Sequence, residues 1–125
     1  MTQAPSTPPQ TWCEADILAG RVIPGMSFTE RCWARCKQIP PGRVCTYSDL
    51  AAASGSPRAA IAAGQAMANN PYAPTVPCHR VVGANGALHG YAYGLHRKAQ
   101  LLQQEGVDIT GGKVDLQGQA RFRFA

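Results

Sequence analysis

Val76-Pro77-Cys78-His79-Arg80-Val81-Val82 is the stretch of this chain best equipped for chemistry, because one thiol stands next to an imidazole and a guanidinium. A cysteine with its ordinary pKa near ~8.5 is mostly protonated at neutral pH, and a neighbouring His or Arg is the usual means of moving it toward the nucleophilic anion. The expected chemistry is therefore attack by Cys78, with His79 and Arg80 supporting the thiolate. An isolated Cys-His pair is more simply a small buried hydrophobe beside a satisfied imidazole, so the reading depends on the elements around it.

The whole chain limits those elements. Its 125 residues, 45% hydrophobic and 15% charged, suit one compact domain with a modest core. No apolar run approaches the ~20 residues of a membrane span, and the N-terminus lacks the charged and apolar regions of a signal peptide. A cytoplasmic protein is expected, nuclear if its source has a nucleus, with no membrane partner. Cys13, Cys32, Cys36, Cys45 and Cys78 form no paired C-x-x-C knuckles. Free thiols and no metal site are the expectation, with Cys32 and Cys36 in step with Phe28 and Ile39 on one helical face. The formal charge of +5 points toward a polyanion without identifying one.

Residues 1–27 read as a disordered or loosely ordered lead-in, proline-rich in Met1 to Gln10, and residues 28–125 as the domain. The spacing predicts a helix from Phe28 that Pro40-Pro41-Gly42 ends, then a short helix over Tyr47 to Ala53 capped by Thr46 or Ser48. Ser56-Pro57 predicts the start of another helix running to Ala68, stopped by Asn69-Asn70-Pro71. Two helices joined so tightly suggest a helix-turn-helix. The second would present Arg58, Ile61, Ala62 and Gln65 outward, a small and lightly charged face better suited to sequence-independent docking on DNA than to reading bases. Asn85-Gly86 between Val81-Val82 and Ala87-Leu88 predicts a type I′ hairpin, the wing of a winged helix. Gly94 opens a last helix with Leu95, Ala99 and Leu102 buried, Gly106 as its stop, and Glu105 where the helix dipole prefers a cation. The fold class expected is mainly α: a single winged helix-turn-helix-like domain with a small hairpin wing.

Several segments, in order, carry a resemblance: Ile39-Pro40-x-Gly42-x-Val44-x-Thr46-Tyr47, Ser56-Pro57-Arg58-Ala59-Ala60, Asn70-Pro71, Pro77-Cys78-His79-Arg80-Val81, Gly90-Tyr91-Ala92 and Leu101-Leu102-x-x-Glu105-Gly106. Together they resemble the DNA-binding, active-site domain of the 6-O-alkylguanine-DNA alkyltransferases, over about residues 28 to 107. The resemblance implies single-turnover repair of a flipped base in double-stranded DNA containing alkylated guanine, by a monomer without cofactor. Cys78 would accept the alkyl group, His79 would be its base through a water, Glu105 would hold the imidazole, and Tyr47 would assist protonation of the leaving guanine. Asn70 would brace the turn before the active-site segment. Backbone groups of Cys78, Val81 and Ala92 would bind the extruded base, with Arg58, Ile61, Gln65, Arg80 and Tyr93 along the DNA. Arg97 and Lys98 are weaker phosphate candidates.

Two positions depart from the family pattern. Ile61 stands where an arginine usually fills the gap left by the flipped nucleotide; an apolar wedge can also unstack bases, but it makes no hydrogen bond to the orphaned partner. Tyr93 replaces a common glycine, and would narrow the pocket or stack on the base. The short chain also resembles the alkyltransferase-like proteins, which bind alkylated DNA without repairing it and recruit a repair partner; those typically replace the cysteine. Cys78 favours the enzyme, Ile61 and the length favour the sensor, and an operator-reading regulator is a third reading that the poorly endowed outer face argues against.

Overall fold

A computed structural model describes residues 11–88, 91 and 93–124, so the Met1 to Gln10 lead-in and Ala92 lie outside the described residues. Helices dominate: α1 (Glu14–Leu18), α2 (Phe28–Lys37), α3 (Tyr47–Ala53), α4 (Ala60–Ala68) and α5 (Leu95–Gln104). The strands are two residues each: β1 (Cys45–Thr46), β2 (Val81–Val82), β3 (Ile109–Thr110) and β4 (Lys113–Val114). No described helix is long and apolar enough to cross a membrane.

Local chemistry sets most helix starts. Ser27 and Glu30 form a capping box at α2, with Glu30 N donating to Ser27 Oγ at 3.2 Å and Ser27 N to Glu30 Oε1 at 2.8 Å. Thr46 and Asp49 repeat the device at α3, satisfying amides the helix itself leaves unpaired. The start of α4 differs from expectation. Ser56 does not cap it; its carbonyl accepts from Ala59 N at 2.9 Å, closing a turn over Pro57-Arg58, and the helix begins at Ala60. Arg31 secures the preceding turn by donating to the Ser54 carbonyl at 2.8 Å and the Met26 carbonyl at 2.7 Å.

Helix α2 packs against α1, α3 and α4, and α3 against α4. Cys32, Cys36 and Ile39 are buried as their spacing predicted, together with Leu50, Ala63, Met67, Val76 and Val81. Ile17 and Met26 join the same core, so packing extends upstream of residue 28, where the sequence placed the domain boundary. An amphipathic turn around Ile17 covers a side of α2 that would otherwise face water.

The hairpin wing is not where Asn85-Gly86 placed it. Val81–Val82 pairs parallel with Cys45–Thr46, while Ala87 bridges Lys113. Among the described residues only glycines have positive φ, so Asn85 cannot take the type I′ conformation. The turn instead closes through Gly86 N to Gly83 O and Gly83 N to Ala87 O, both 2.9 Å, with Gly86 at φ 84°. The two-residue hairpin is β3–β4, where Gly111 and Gly112 both have positive φ. A second cluster, Val44, Val82, Leu102, Val107 and Val114, lies beneath it.

Gly86 is the tightest point of that region: a Cβ there would fall on the Val114 carbonyl oxygen. Gly86→Ala is expected to destabilise the fold by upwards of about 2 kcal/mol, since left-handed backbone alone costs ~1–2 kcal/mol for an L-residue. Urea unfolding should show a lower midpoint with unchanged slope.

Candidate active site

The parallel β1–β2 pair is the frame of the site. Its register, Cys45 with Val81 and Thr46 with Val82, joins the strand leading directly into Tyr47 to the strand leaving the Cys78–Arg80 turn. That turn is one of 3-10 helix, closed by Arg80 N to Pro77 O at 2.9 Å. Asn70 shapes the approach, donating from Nδ2 to the Val76 carbonyl at 2.8 Å and accepting from Tyr72 N at 2.9 Å.

Cys78 is 6% exposed. Burial pushes its thiol up, against the smaller pull of the Asn70 side chain and the Lys98 charge. The sequence expectation of a standing thiolate supported by its chain neighbours is therefore corrected. Cys78 rests as a thiol and requires a base, and the cation it senses is Lys98 rather than Arg80.

Arg80 is turned away because another residue claims it. Its Nε donates to Glu105 Oε1 at 2.9 Å, Nη2 to Oε2 at 2.6 Å and Nη1 to the Ile39 carbonyl at 2.7 Å. This bidentate pairing supplies the cation that an anion at the end of α5 calls for, and places Arg80 inside rather than on a phosphate. Glu105 also bonds His79, with Nε2 to Oε2 at 3.0 Å. Burial raises the Glu105 carboxyl, but the Arg80 and His79 hydrogen bonds outweigh it and leave it lowered. Burial likewise holds the His79 imidazole below its usual value despite Glu105, keeping the ring neutral at pH 7. A neutral ring that donates from Nε2 has Nδ1 as an acceptor, and that buried atom has no protein hydrogen-bond partner among the described residues.

Tyr47 and Lys98 form the other wall. Lys98 is fully buried; its Nζ donates to the Val81 carbonyl at 2.6 Å and to the Tyr47 hydroxyl at 3.4 Å. Burial brings the Lys98 ammonium down to about 8 and pushes the Tyr47 phenol up to about 12. The phosphate role considered for Lys98 is excluded by that burial, whereas Arg97 is exposed and bonds Gln100. The α5 stripe is corrected with it: Lys98 and Leu102 are buried, and Leu95 is 49% exposed. A lysine four residues before Leu102 is itself the sequence signal for a buried cation.

Arg58, Ile61 and Gln65 lie on the exposed side of α4 and its preceding turn, with Ile61 82% exposed. A cleft of about 430 Å³ lined by Tyr47, Ile61, Gly64, Gln65, Gly83 and Ala84 connects that face to Tyr47. Gly64 faces the Tyr47 ring, with room for a Cβ at 3.8 Å from it. Tyr93 is 65% exposed and meets Tyr91 edge-on at 5.3 Å; Tyr91 meets His79 at 6.4 Å. The Val81 carbonyl already accepts from Lys98, and Ala92 lies outside the described residues. The described residues contain no group of three His, Cys, Asp or Glu side chains arranged to hold a metal ion. Sequence reasoning missed the Arg121–Asp49 pair, bonded at 2.7 and 3.0 Å, which braces the first turn of α3.

The His79 and Glu105 shifts have one sign. A histidine held below its unfolded pKa binds its proton in the unfolded chain first, so stability is present above pH ~6.5 and is lost as pH falls toward the folded value. Lowered Glu105 extends the loss further into acid. In Glu105→Gln the partner raising the imidazole is removed, so NMR should find His79 titrating lower still. A variant value at or above that of the wild type contradicts the arrangement.

Comparisons with known proteins identify relatives of this chain. Residues 27–107 match the family model described as 6-O-methylguanine DNA methyltransferase, DNA binding domain. The methylated-DNA–protein-cysteine methyltransferase of Methanosarcina acetivorans is 49% identical over 82 residues, covering 66% of this chain and 53% of that protein. Its counterpart from Salmonella typhimurium is also 49% identical over 82 residues, with 66% and 48% covered, so the chain spans about half the length of these curated relatives. Among solved structures, S. pombe Atl1 in complex with damaged DNA containing O6-carboxymethylguanine superposes with a TM-score of 0.67 at 30% identity, over 77% of this chain and 94% of that one. Mycobacterium tuberculosis OGT in complex with DNA gives 0.62 at 39% identity, over 73% and 62%. With the family model spanning α2 to α5, the Cys78 turn and Glu105, the chain belongs to the 6-O-methylguanine DNA methyltransferase family through its DNA-binding domain.

Proposed function

We propose that this protein turns an alkylated guanine out of duplex DNA and transfers the 6-O-alkyl group irreversibly to Cys78. The observation carrying this reading is the Cys78-His79-Glu105 series, in which a buried thiol at rest stands next to a buried imidazole held neutral with Nδ1 available as a base. In the step, His79 takes the thiol proton by way of a water, Sγ forms a bond to the alkyl carbon, and the carbon–oxygen bond breaks. The electron pair passes to guanine, which takes a proton from the Tyr47 hydroxyl. Extruding the base costs roughly a few kcal/mol, and Ile61, projecting from α4 beside the cleft, supplies the wedge. No cofactor enters the scheme, and the protein acts as a monomer on DNA.

The second reading is a lesion sensor that binds alkylated DNA, leaves Cys78 unmodified and recruits a repair partner. Ile61 at the usual arginine position and the likeness to DNA-bound S. pombe Atl1 favour it. Intact-mass measurement after incubation with 6-O-methylguanine duplex separates the two. One methyl increment, mapped to Cys78 and absent in Cys78→Ser, is expected; tight binding with no increment selects the sensor.

Ile61 is expected to limit extrusion because it cannot hydrogen-bond the unpaired base. Ile61→Arg should raise the single-turnover rate on duplex DNA several-fold, about 1 kcal/mol of transition-state stabilisation at that size of change, with little effect on single strands. Equal gains on both substrates would indicate general charge attraction instead.

A further inference from the structure

A lysine with no exposed surface is rare in a domain of this size, and the transfer scheme above gives Lys98 no task. Its placement is specific. Donation to the Val81 carbonyl at 2.6 Å fixes Nζ on the strand that leaves the Cys78 turn, and the second donation, at 3.4 Å, points to the Tyr47 hydroxyl. The ammonium also lies 5.7 Å from the Tyr47 ring centroid. We infer that Lys98 is a positioning residue for alkyl transfer, holding its ammonium against the Tyr47 hydroxyl and returning the proton that Tyr47 gives to the departing guanine.

This rests on the transfer reading. Tyr47 alone is a poor donor, because burial pushes its phenol up to about 12 and a phenolate left behind would be costly in that setting. Lys98, brought down to about 8, is the stronger acid of the pair. As the carbon–oxygen bond breaks, the guanine takes the Tyr47 proton and the Tyr47 oxygen takes one from Lys98 Nζ. A neutral phenol and a neutral amine remain, and neither leaves a buried charge. The thiol proton held by His79 and the proton owed to Lys98 are then exchanged with water.

Among the described residues, titratable groups from four elements face Lys98: Tyr47 from α3, Cys45 from β1, Cys36 from α2, and Cys78 and His79 from the 3-10 turn. Burial raises all three thiols, so they remain protonated at neutral pH. The ammonium is consequently the ionised member of this set at pH 7, and it is lost as pH rises through about 8.

The test compares wild type, Lys98→Met, Tyr47→Phe and the double variant in single-turnover transfer from 6-O-methylguanine duplex across pH 6 to 10. Lys98→Met should slow transfer on the order of 100-fold at neutral pH, the lower end of what a proton donor contributes, and should remove a decline that wild type shows above pH ~8. Duplex affinity should change less than about twofold, because the ammonium has no exposed surface with which to meet a phosphate. In the Tyr47→Phe background the lysine change should add almost nothing, the non-additivity of residues that act in series. A Lys98→Met protein with the wild-type rate and pH profile, or an equal slowing in both backgrounds, overturns the inference. NMR titration of the Lys98 side chain in the free protein gives a readout independent of activity, and titration near the ordinary ~10.4 of lysine would overturn it as well. If wild type itself never alkylates Cys78, the transfer reading fails first, and the inference fails with it.

Discussion

One carboxylate holds the site together. Glu105 ends α5 and accepts from both Arg80 and His79, the two residues that follow Cys78. Its pairing with Arg80 turns a guanidinium away from Cys78 and anchors it on the Ile39 carbonyl at the close of α2. Its bond to His79 selects the ring nitrogen that donates, and so which one can accept. Partly buried charge pairs contribute uncertain net stability, because desolvation offsets much of the attraction. Here the pair's clearer effect is geometric: the chain after Cys78 is tied to two helices at once.

Electrostatic pressure in the pocket then comes from burial rather than from net charge. The +5 of the whole chain is a long-range property suited to a polyanion. Inside, desolvation raises the Cys78 thiol and Tyr47 phenol and lowers His79 and Lys98, so every one of these groups is biased toward its neutral form. Lys98 alone of the four still carries its charge at pH 7, and a thiol held in its neutral form has limited idle reactivity toward electrophiles.

What the sequence made legible was whatever local pattern controls. Thr46 with Asp49 capped α3 because a hydroxyl three residues before a carboxylate satisfies two amides irrespective of the rest of the chain. The buried positions of α2 followed from their spacing in the same way. Ser56-Pro57 and Asn85-Gly86 misled because each is compatible with more than one turn. Tertiary pairing of β1 with β2, and of Ala87 with Lys113, chose among the conformers. Arg80 could not be placed from its neighbours, since its partner lies 25 residues on. Lys98 was misread as a surface cation although its place on the apolar stripe of α5 marked it as buried.

The frame is completed by chain beyond the family-matched residues 27–107. Val44, just before β1, donates to the Ala120 carbonyl and accepts from Phe122 N, both at 2.7 Å, while Arg121 between them grips Asp49. The strand that delivers Tyr47 is thus paired on one side by β2, which follows Cys78, and on the other by the segment at 120–122. Phe122 and Phe124 meet edge to face at 5.0 Å and pack on the main core, so this last stretch is bound by apolar contact as well as by backbone pairing. A two-residue strand has little stability of its own. Partners on both edges allow so short an element to fix Tyr47 against the Cys78 turn, and one of those partners is supplied from outside the matched domain.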